Sequence, residues 1–414
     1  MKILSIETSC DETGIALVEA EGGFSNPKFK VIKNLVSSQI KIHRPFGGVV
    51  PGLAKREHIK NLPLLFKKVF GISKSEFLIS KQIPKSKFQM DKIDLIAVTV
   101  GPGLEPALWT GITFAQELRE SLINADKDAD KRRYKKISVI GVNHLEGHLY
   151  SFLLPRQKKT VISKSQPALK LRRAGKFLIS KQILNHKSQT IEFPAIALLV
   201  SGGHTTLLLM KNLKTWKRLG ETKDDAAGEA FDKVARMLNL PYPGGPEIER
   251  LALSMPKGEK PSIAFPRPML NQKNYDFSFS GLKTSIFYYL RDKKLSTNNE
   301  LIANKRIFVN SKQNSLFADV AASFQQAVID VLIAKTMRAA GEYGARSIIL
   351  CGGVAANKML RENTREAARK IGAKFFVPDM EYNNDNAAMI AAAAYMGLSR
   401  KKKYKIEADG DLNI

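Results

Sequence analysis

The chain has 414 residues, too many for one ordinary hydrophobic core, so two lobes are expected. Its 44% hydrophobic and 25% charged residues are ordinary for a soluble globular protein, and with only Cys10 and Cys351 a disulfide framework is excluded and a reducing compartment fits. Lys and Arg total 66 against 39 acids, a formal net charge of +27 that draws polyanions, nucleic acid first; a solubility adaptation is the plainer alternative.

In chain order, KILSIE (2–7) and GIALVEA (14–20) read as a β-hairpin with the polar loop TSCDET at its tip. From the short apolar start, followed at once by acids, no signal peptide is expected. A helix follows around 53–70, then the buried strand DLIAVTV (94–100), ended by Gly101-Pro102-Gly103. A helix around 107–124, a charged linker and the strand SVIGV (138–142) come next. Further strands are IALLV (196–200), TTLLLM (205–210) and SIILC (347–351), with helices at 226–239, 315–342, 356–371 and 385–398. Strands alternating with helices, plus hairpins, predict a mixed α/β protein that binds ligands at the carboxyl ends of its strands. The longest apolar stretches, 193–200 and 387–398, fall short of the ~20 residues that span a bilayer, so a cytoplasmic protein without a membrane partner is expected. FLISKQI occurs at 77–83 and again at 177–183, in what read as inserted surface segments. The second insert, 156–190, holds ten Lys or Arg and no acid. It reads as a solvated or disordered insert, with an RNA-contacting arm as the alternative.

Five motifs carry chemistry. In NHLEGH (143–148), His144 and His148 are four apart, which on a helix puts both imidazoles on one face within reach of one ion. The best third ligand is Asp385 in NNDNAAMIA (383–391); alone it would read as a helix N-cap. Two His and a carboxylate leave open positions, which suits a catalytic metal better than a structural one. SGGHTTLL (201–208) describes a tight hairpin whose backbone N–H groups can approach a phosphate or carboxylate. CGGVAANKML (351–360) runs a strand through Gly-Gly into a helix whose N-terminus favours an anion, with Asn357 in the first turn. In DDAAGEAFDKVARML (224–238), Asp225 is placed to cap a helix that carries Glu229 and Asp232 on one face, a pair able to grip ribose hydroxyls or simply to be solvated. Asp11 and Glu12, at the first hairpin tip, are candidate catalytic acids.

Together these segments resemble the universal tRNA N6-adenosine threonylcarbamoyltransferase family in its bacterial form. The resemblance runs through IETSCDETG (6–14), VPGLAKREH (50–58), TVGPGLEPAL (99–108), GVNHLEGH (141–148), LLVSGGHT (198–205), DDAAGEAFDKVA (224–235), PYPGGPEIE (241–249), FSFSGLKTS (277–285), CGGVAAN (351–357) and NDNAAMIA (384–391). It implies the actin and sugar-kinase type of fold: two RNase-H-like lobes with a ligand cleft between them. The lobes are expected at 1–142, with an insert about 72–90, and 143–414, with the basic insert about 156–190 and the last helix, about 385–398, packing back towards the first lobe.

The resemblance further implies transfer of a threonylcarbamoyl group from threonylcarbamoyl-AMP to N6 of adenosine 37 in tRNAs reading codons that begin with A. His144, His148 and Asp385 match the family's ligands to one divalent ion, iron before zinc. Leu199, Val200, Ser201, Gly202, Gly203, Asp232, Gly245, Glu249 and Asn357 match contacts to the adenylate, and Asp11 and Glu12 match acids important for catalysis. The implied partners are tRNA, an inactive paralogous partner subunit and a small ATPase. Gly52 departs from the pattern, standing where the family usually has Glu, and the FLISKQI segments lie outside it. The rivals from other classes are a metalloprotease, a kinase or ATPase of the same fold, and a non-catalytic RNA-binding scaffold. Zinc proteases place Glu directly after the first His, whereas Glu146 lies two residues from each and projects away from their shared face.

Overall fold

The apolar runs of the sequence become the inner strands of two sheets. The computed structural model describes residues 1–71, 93–124, 137–155, 190–256, 258–293 and 311–414. Both FLISKQI segments, the insert expected about 72–90 and the basic insert up to residue 189 lie outside the described residues.

The first sheet comprises β1 (Lys2–Glu7), β2 (Glu12–Glu21), β3 (Lys28–Ser38), β4 (Leu95–Gly101) and β5 (Ser138–Asn143), in the order β3-β2-β1-β4-β5. The second comprises β6 (Ala195–Val200), β7 (Thr205–Met210), β8 (Trp216–Glu221), β9 (Ser347–Cys351) and β10 (Lys374–Phe376), in the order β10-β9-β6-β7-β8. In each, an antiparallel three-strand meander is extended on its first strand by two parallel strands. The chain therefore builds the same five-strand unit twice. β4, β6, β7 and β9 are buried at every residue, as strands covered on both faces must be. The strands that sequence patterning missed, β3, β8 and β10, are partly exposed and carry Lys, Arg and Asn, as edge strands do.

Helices fill the connections: α1 (Pro51–Phe70), α2 (Glu105–Asn124), α3 (His144–Tyr150), α4 (Ala227–Met237), α5 (Gly244–Ala252), α6 (Ser280–Asp292), α7 (Ser311–Glu342), α8 (Lys358–Lys370) and α9 (Ala387–Arg400). Asn314–Glu342 of α7 is long and apolar enough to cross a membrane, yet 67% of its most apolar window is buried, which makes it a core helix. α9 is the layer shared by both sheets. Its alanines pack in one cluster with Ile3, Ala16 and Val18 of the first sheet and Ala197, Leu208 and Ile349 of the second. Small side chains bring its backbone close, and Ser5 Oγ donates to Ala387 O at 2.6 Å.

One capping expectation is corrected. Asp225 does not cap α4; its carboxylate binds Lys233 and Lys283, each at 2.6 Å. Asp224 instead caps the distant α6, accepting from Phe279 N at 2.8 Å and Ser280 N at 3.2 Å. These donors come from a segment 55 and 56 residues away, beyond any local capping rule.

Candidate metal centre and cleft

β1, β4 and β5 run parallel, so their carboxyl ends share one edge of the first sheet, and the candidate residues gather there. Two asparagine caps place the ligands. Asn143 Oδ1 accepts from Leu145 N at 2.8 Å and Glu146 N at 3.2 Å, so α3 starts at His144. Asn386 Oδ1 accepts from Met389 N at 3.1 Å and opens α9. Asp385 is thereby free of the capping role its position suggested, and its carboxylate turns to the histidines.

His144, His148 and Asp385 each offer one ligand atom, all within 4.8 Å of one another. Asp385 Oδ1 lies 3.4 Å from His144 Nε2 and 3.2 Å from His148 Nε2. Metal–ligand bonds of about 2.0–2.1 Å in a tetrahedron put neighbouring donors ~3.3 Å apart, so the set has the dimensions of an ion site. His148 is 1% exposed, and its Nε2 makes no hydrogen bond of acceptable geometry. An orphaned imidazole nitrogen facing a carboxylate and a second imidazole is what a bound cation would satisfy.

The local field favours positive charge, held as a proton on the imidazole unless a cation displaces it. Burial alone would raise the Asp385 pKa, but His144 and His148 hold it far below the carboxylate range. Burial would likewise lower that of His144, but Asp385 and Glu7 override it and hold it well above the usual value. Asp385 is thus a carboxylate, the form a cation needs. The acids at the β1–β2 tip lie in the same field. Burial, with the charges of Asp11 and then Asp385, pushes the Glu12 pKa well up. Asp11 is buried and accepts a long hydrogen bond, 3.4 Å, from the Tyr242 hydroxyl across the cleft.

The second sheet supplies the facing wall. Leu199 and Val200 are fully buried in β6, the strand that runs into the loop of Ser201 to Gly203. Ser201 closes the β6–β7 hairpin, its Oγ accepting from His204 N at 3.1 Å, while open space stands where Gly202 and Gly203 would carry side chains. Leu145 packs with Leu199 and Cys351, tying the metal helix to both Gly-Gly segments. Asp232 Oδ1 accepts from Gly244 N at 2.7 Å, beside Gly245, and burial raises its pKa to about 6. Glu249 Oε1 accepts from Lys358 N at 2.7 Å, at the N-terminus of α8. Asn357 is the cap of α8 rather than part of its first turn. Its Oδ1 accepts from Leu360 N and its Nδ2 donates to Gln325 Oε1 at 2.7 Å. Asp232, Gly245, Glu249 and Asn357 thus line one continuous seam.

Three residues of this region escaped sequence reasoning. Glu7 ends the apolar β1 and lies 3.1 Å from His144 Nδ1; an acid inside a buried strand was the signal. His204 follows the Gly-Gly pair, and burial together with His144 and His148 lowers its pKa to about 4. Tyr242 precedes the Pro-Gly-Gly turn. Glu146, by contrast, is removed from the chemistry: Arg400, Lys402 Nζ at 3.0 Å and Tyr404 Oη at 2.5 Å occupy its carboxylate. A metalloprotease would need that carboxylate free to activate water.

The family model described as tRNA N6-adenosine threonylcarbamoyltransferase matches residues 30–176 and 176–392. Similar proteins of that name occur in Thermosipho africanus, 40% identical over 395 residues (95% of this chain, 94% of the relative), and in Thermosipho melanesiensis, 40% identical over the full length of both chains. A third, from Moorella thermoacetica, is 40% identical over 96% of this chain and 92% of its own. Among solved structures, full-length HypF in its phosphate- and nucleotide-bound form matches with a TM-score of 0.50 at 12% identity, over 98% of this chain and 56% of HypF. The T. kodakarensis HypF matches with a TM-score of 0.50 at 13% identity, over 97% of this chain and 48% of its own. The chain therefore spans about half of these structures, which share its fold.

Proposed function

The chain belongs to the tRNA N6-adenosine threonylcarbamoyltransferase family, and on that premise we propose that it moves the threonylcarbamoyl group of threonylcarbamoyl-AMP to N6 of adenosine 37, in tRNAs reading codons that begin with A, and releases AMP. The observation that carries this reading is the His144–His148–Asp385 set at the strand ends, opposite two Gly-Gly segments. A divalent ion held by those three residues, iron(II) before zinc(II), would supply Lewis acidity towards the carbamoyl–phosphate end of the adenylate.

The chain's own residues do the rest. Backbone N–H groups of Gly202 and Gly203 bind the anionic end of the adenylate, because no side chain there competes for the space, while Leu199, Val200 and Ser201 hold the loop in place, the Ser201 N–H donating to His204 O at 2.8 Å. Asp232 accepts from ribose hydroxyls, and Gly245 lets the sugar approach the backbone of α5. Glu249 and Asn357 bound the far end; Asn357 offers the second lone pair and the second amide hydrogen that its capping role leaves unused. N6 of adenosine attacks the carbamoyl carbon, a C–N bond forms, the C–O bond to the AMP phosphate breaks, and the N6 proton passes to Asp11. An exocyclic adenine amine is a poor nucleophile, so orientation and that carboxylate supply much of the acceleration. Glu12, its pKa pushed well up by burial and by the charges of Asp11 and Asp385, keeps its proton beside Asp11.

The positive charge of the chain meets the phosphate backbone of the tRNA. The repeated five-strand unit supports the RNase-H-like reading of both lobes. An inactive paralogous subunit and a small ATPase are the proposed partners, in the cytoplasm where tRNA is modified. The test is reconstitution with tRNA, threonylcarbamoyl-adenylate and a divalent metal, with the partners supplied. Nucleoside mass should show one threonylcarbamoyl group on adenosine 37 of tRNAs reading A-initial codons and none on other tRNAs. Unmodified adenosine in every reaction would overturn the proposal.

A further inference from the structure

Glu7 is fully buried, yet every oxygen of its carboxylate has a partner. Oε1 accepts from Ser9 N at 2.6 Å, and Oε2 accepts from Thr99 Oγ1 at 2.6 Å and faces His144 Nδ1 at 3.1 Å. An ionised carboxylate can only accept, so the imidazole nitrogen facing it must carry a hydrogen. His144 Nδ1 therefore carries a hydrogen, and in the neutral ring that a cation requires the lone pair is left on Nε2, the nitrogen that points at Asp385. His148 has no such orienting partner, since its Nδ1 is buried without a hydrogen bond. The two histidines are unequal: a carboxylate holds the Nδ1 side of His144, and packing alone holds that side of His148.

We propose that Glu7 is the positioning residue of the metal centre, fixing the His144 ring in the tautomer and orientation that present Nε2 to the ion. The inference rests on reading His144, His148 and Asp385 as the metal site, and adds a residue that acts through His144 without touching metal or substrate. Its geometry is that of a carboxylate–histidine–metal relay, in which the outer carboxylate also raises the basicity of the ligand. Both oxygens of Glu7 already accept from fixed donors, Ser9 N and Thr99 Oγ1, so the residue is the acceptor the relay needs. Glutamine cannot replace it. Ser9 N is an obligate donor and takes the single amide oxygen of Glu7→Gln. The NH2 group then faces Nδ1 and forces the hydrogen onto Nε2, where it blocks the ion.

The test measures metal affinity on the full chain, using Co2+ and Zn2+ in competition with a chromophoric chelator. Wild type should bind one ion with a tetrahedral Co2+ spectrum, and His148→Ala should lose it. Glu7→Gln should bind roughly 10–100-fold more weakly, the usual effect of removing an outer-shell partner. Ser9→Ala, which removes the other oxygen within reach of Nδ1, at 3.2 Å, should leave affinity unchanged. Equal affinity in wild type and Glu7→Gln would overturn this inference alone, whereas a wild type that binds no ion would overturn the metal reading beneath it. Should Glu7→Gln not fold, 15N spectra of the histidines in Zn2+-loaded wild type decide: a hydrogen on His144 Nδ1 supports the proposal, and one on Nε2 refutes it.

Discussion

Replacing Glu146 by alanine should destabilise the protein heavily while leaving the metal site chemically intact. The side chain is 1% exposed and holds Arg400, whose side chain is 7% exposed, together with Lys402 and Tyr404. Truncation strands the Arg400 guanidinium in a low-dielectric site, where loss of one partner of a buried pair costs about 3–5 kcal/mol. Arg400 cannot easily leave, because it lies over the Trp216 ring, 4.3 Å from its centroid. Lys402 is 39% exposed and finds water, so its loss adds under ~1 kcal/mol, and the Tyr404 hydroxyl adds about 1 kcal/mol. The sum is about 4–7 kcal/mol, to be read from urea unfolding by linear extrapolation. Because the penalty is mainly an unpaired charge, Glu146→Ala/Arg400→Met should recover about 3 kcal/mol of it. Single and double variants that add to within about 0.5 kcal/mol would refute the reasoning.

Gly228→Ala should cost about 1–3 kcal/mol by overpacking and weaken adenylate binding, because a Cβ there would meet Ser201 O at 2.6 Å and Gly202 Cα at 2.8 Å, both backbone; thermal unfolding and calorimetric titration check the two effects. Asp232, with its pKa raised to about 6, accepts most strongly from ribose when ionised, so KM for the adenylate should rise as pH falls below 6, and Asp232→Asn should abolish that inflection. The same shift has a stability sign: the folded state keeps the proton longer, so the Asp232 contribution falls as pH rises from about 4 to about 6. Gly52 sits exposed in the first turn of α1, which holds no acid, and a Cβ there meets nothing within 4 Å. Gly52→Glu should therefore stabilise by about 1 kcal/mol through helix propensity and the helix dipole, measurable by urea unfolding.

What the sequence made legible follows from what is local in it. The inner strands are continuous apolar runs, so β1, β4, β6, β7 and β9 could be read directly, as could the small-residue helix α9. The edge strands β3, β8 and β10 carry no such run, because water covers one side of them. α6 begins on a cap supplied by Asp224 from across the fold, and α5 begins at Pro-Gly-Gly, which reads as a turn. At the site, the i, i+4 spacing announced His144 and His148, a carboxylate opening a small-residue helix offered Asp385 as the third ligand, and the resemblance matched all three. Glu7 stayed hidden because its meaning lies 137 residues away, on the far side of the imidazole it faces. Asn386 decides the role of Asp385: one residue takes the cap, and its neighbour turns to the two histidines.

The central claim is that the triad serves threonylcarbamoyl transfer to tRNA. It is tested most directly by following a labelled threonylcarbamoyl group from its adenylate, with metal-loaded wild type and the His144→Ala/His148→Ala variant compared in the presence of tRNA and partners. Label should enter tRNA with wild type, one AMP appearing per group transferred, and transfer should collapse in the variant while its tRNA binding persists. Transfer by the variant at the wild-type rate, or AMP release by wild type without label in tRNA, would contradict the account.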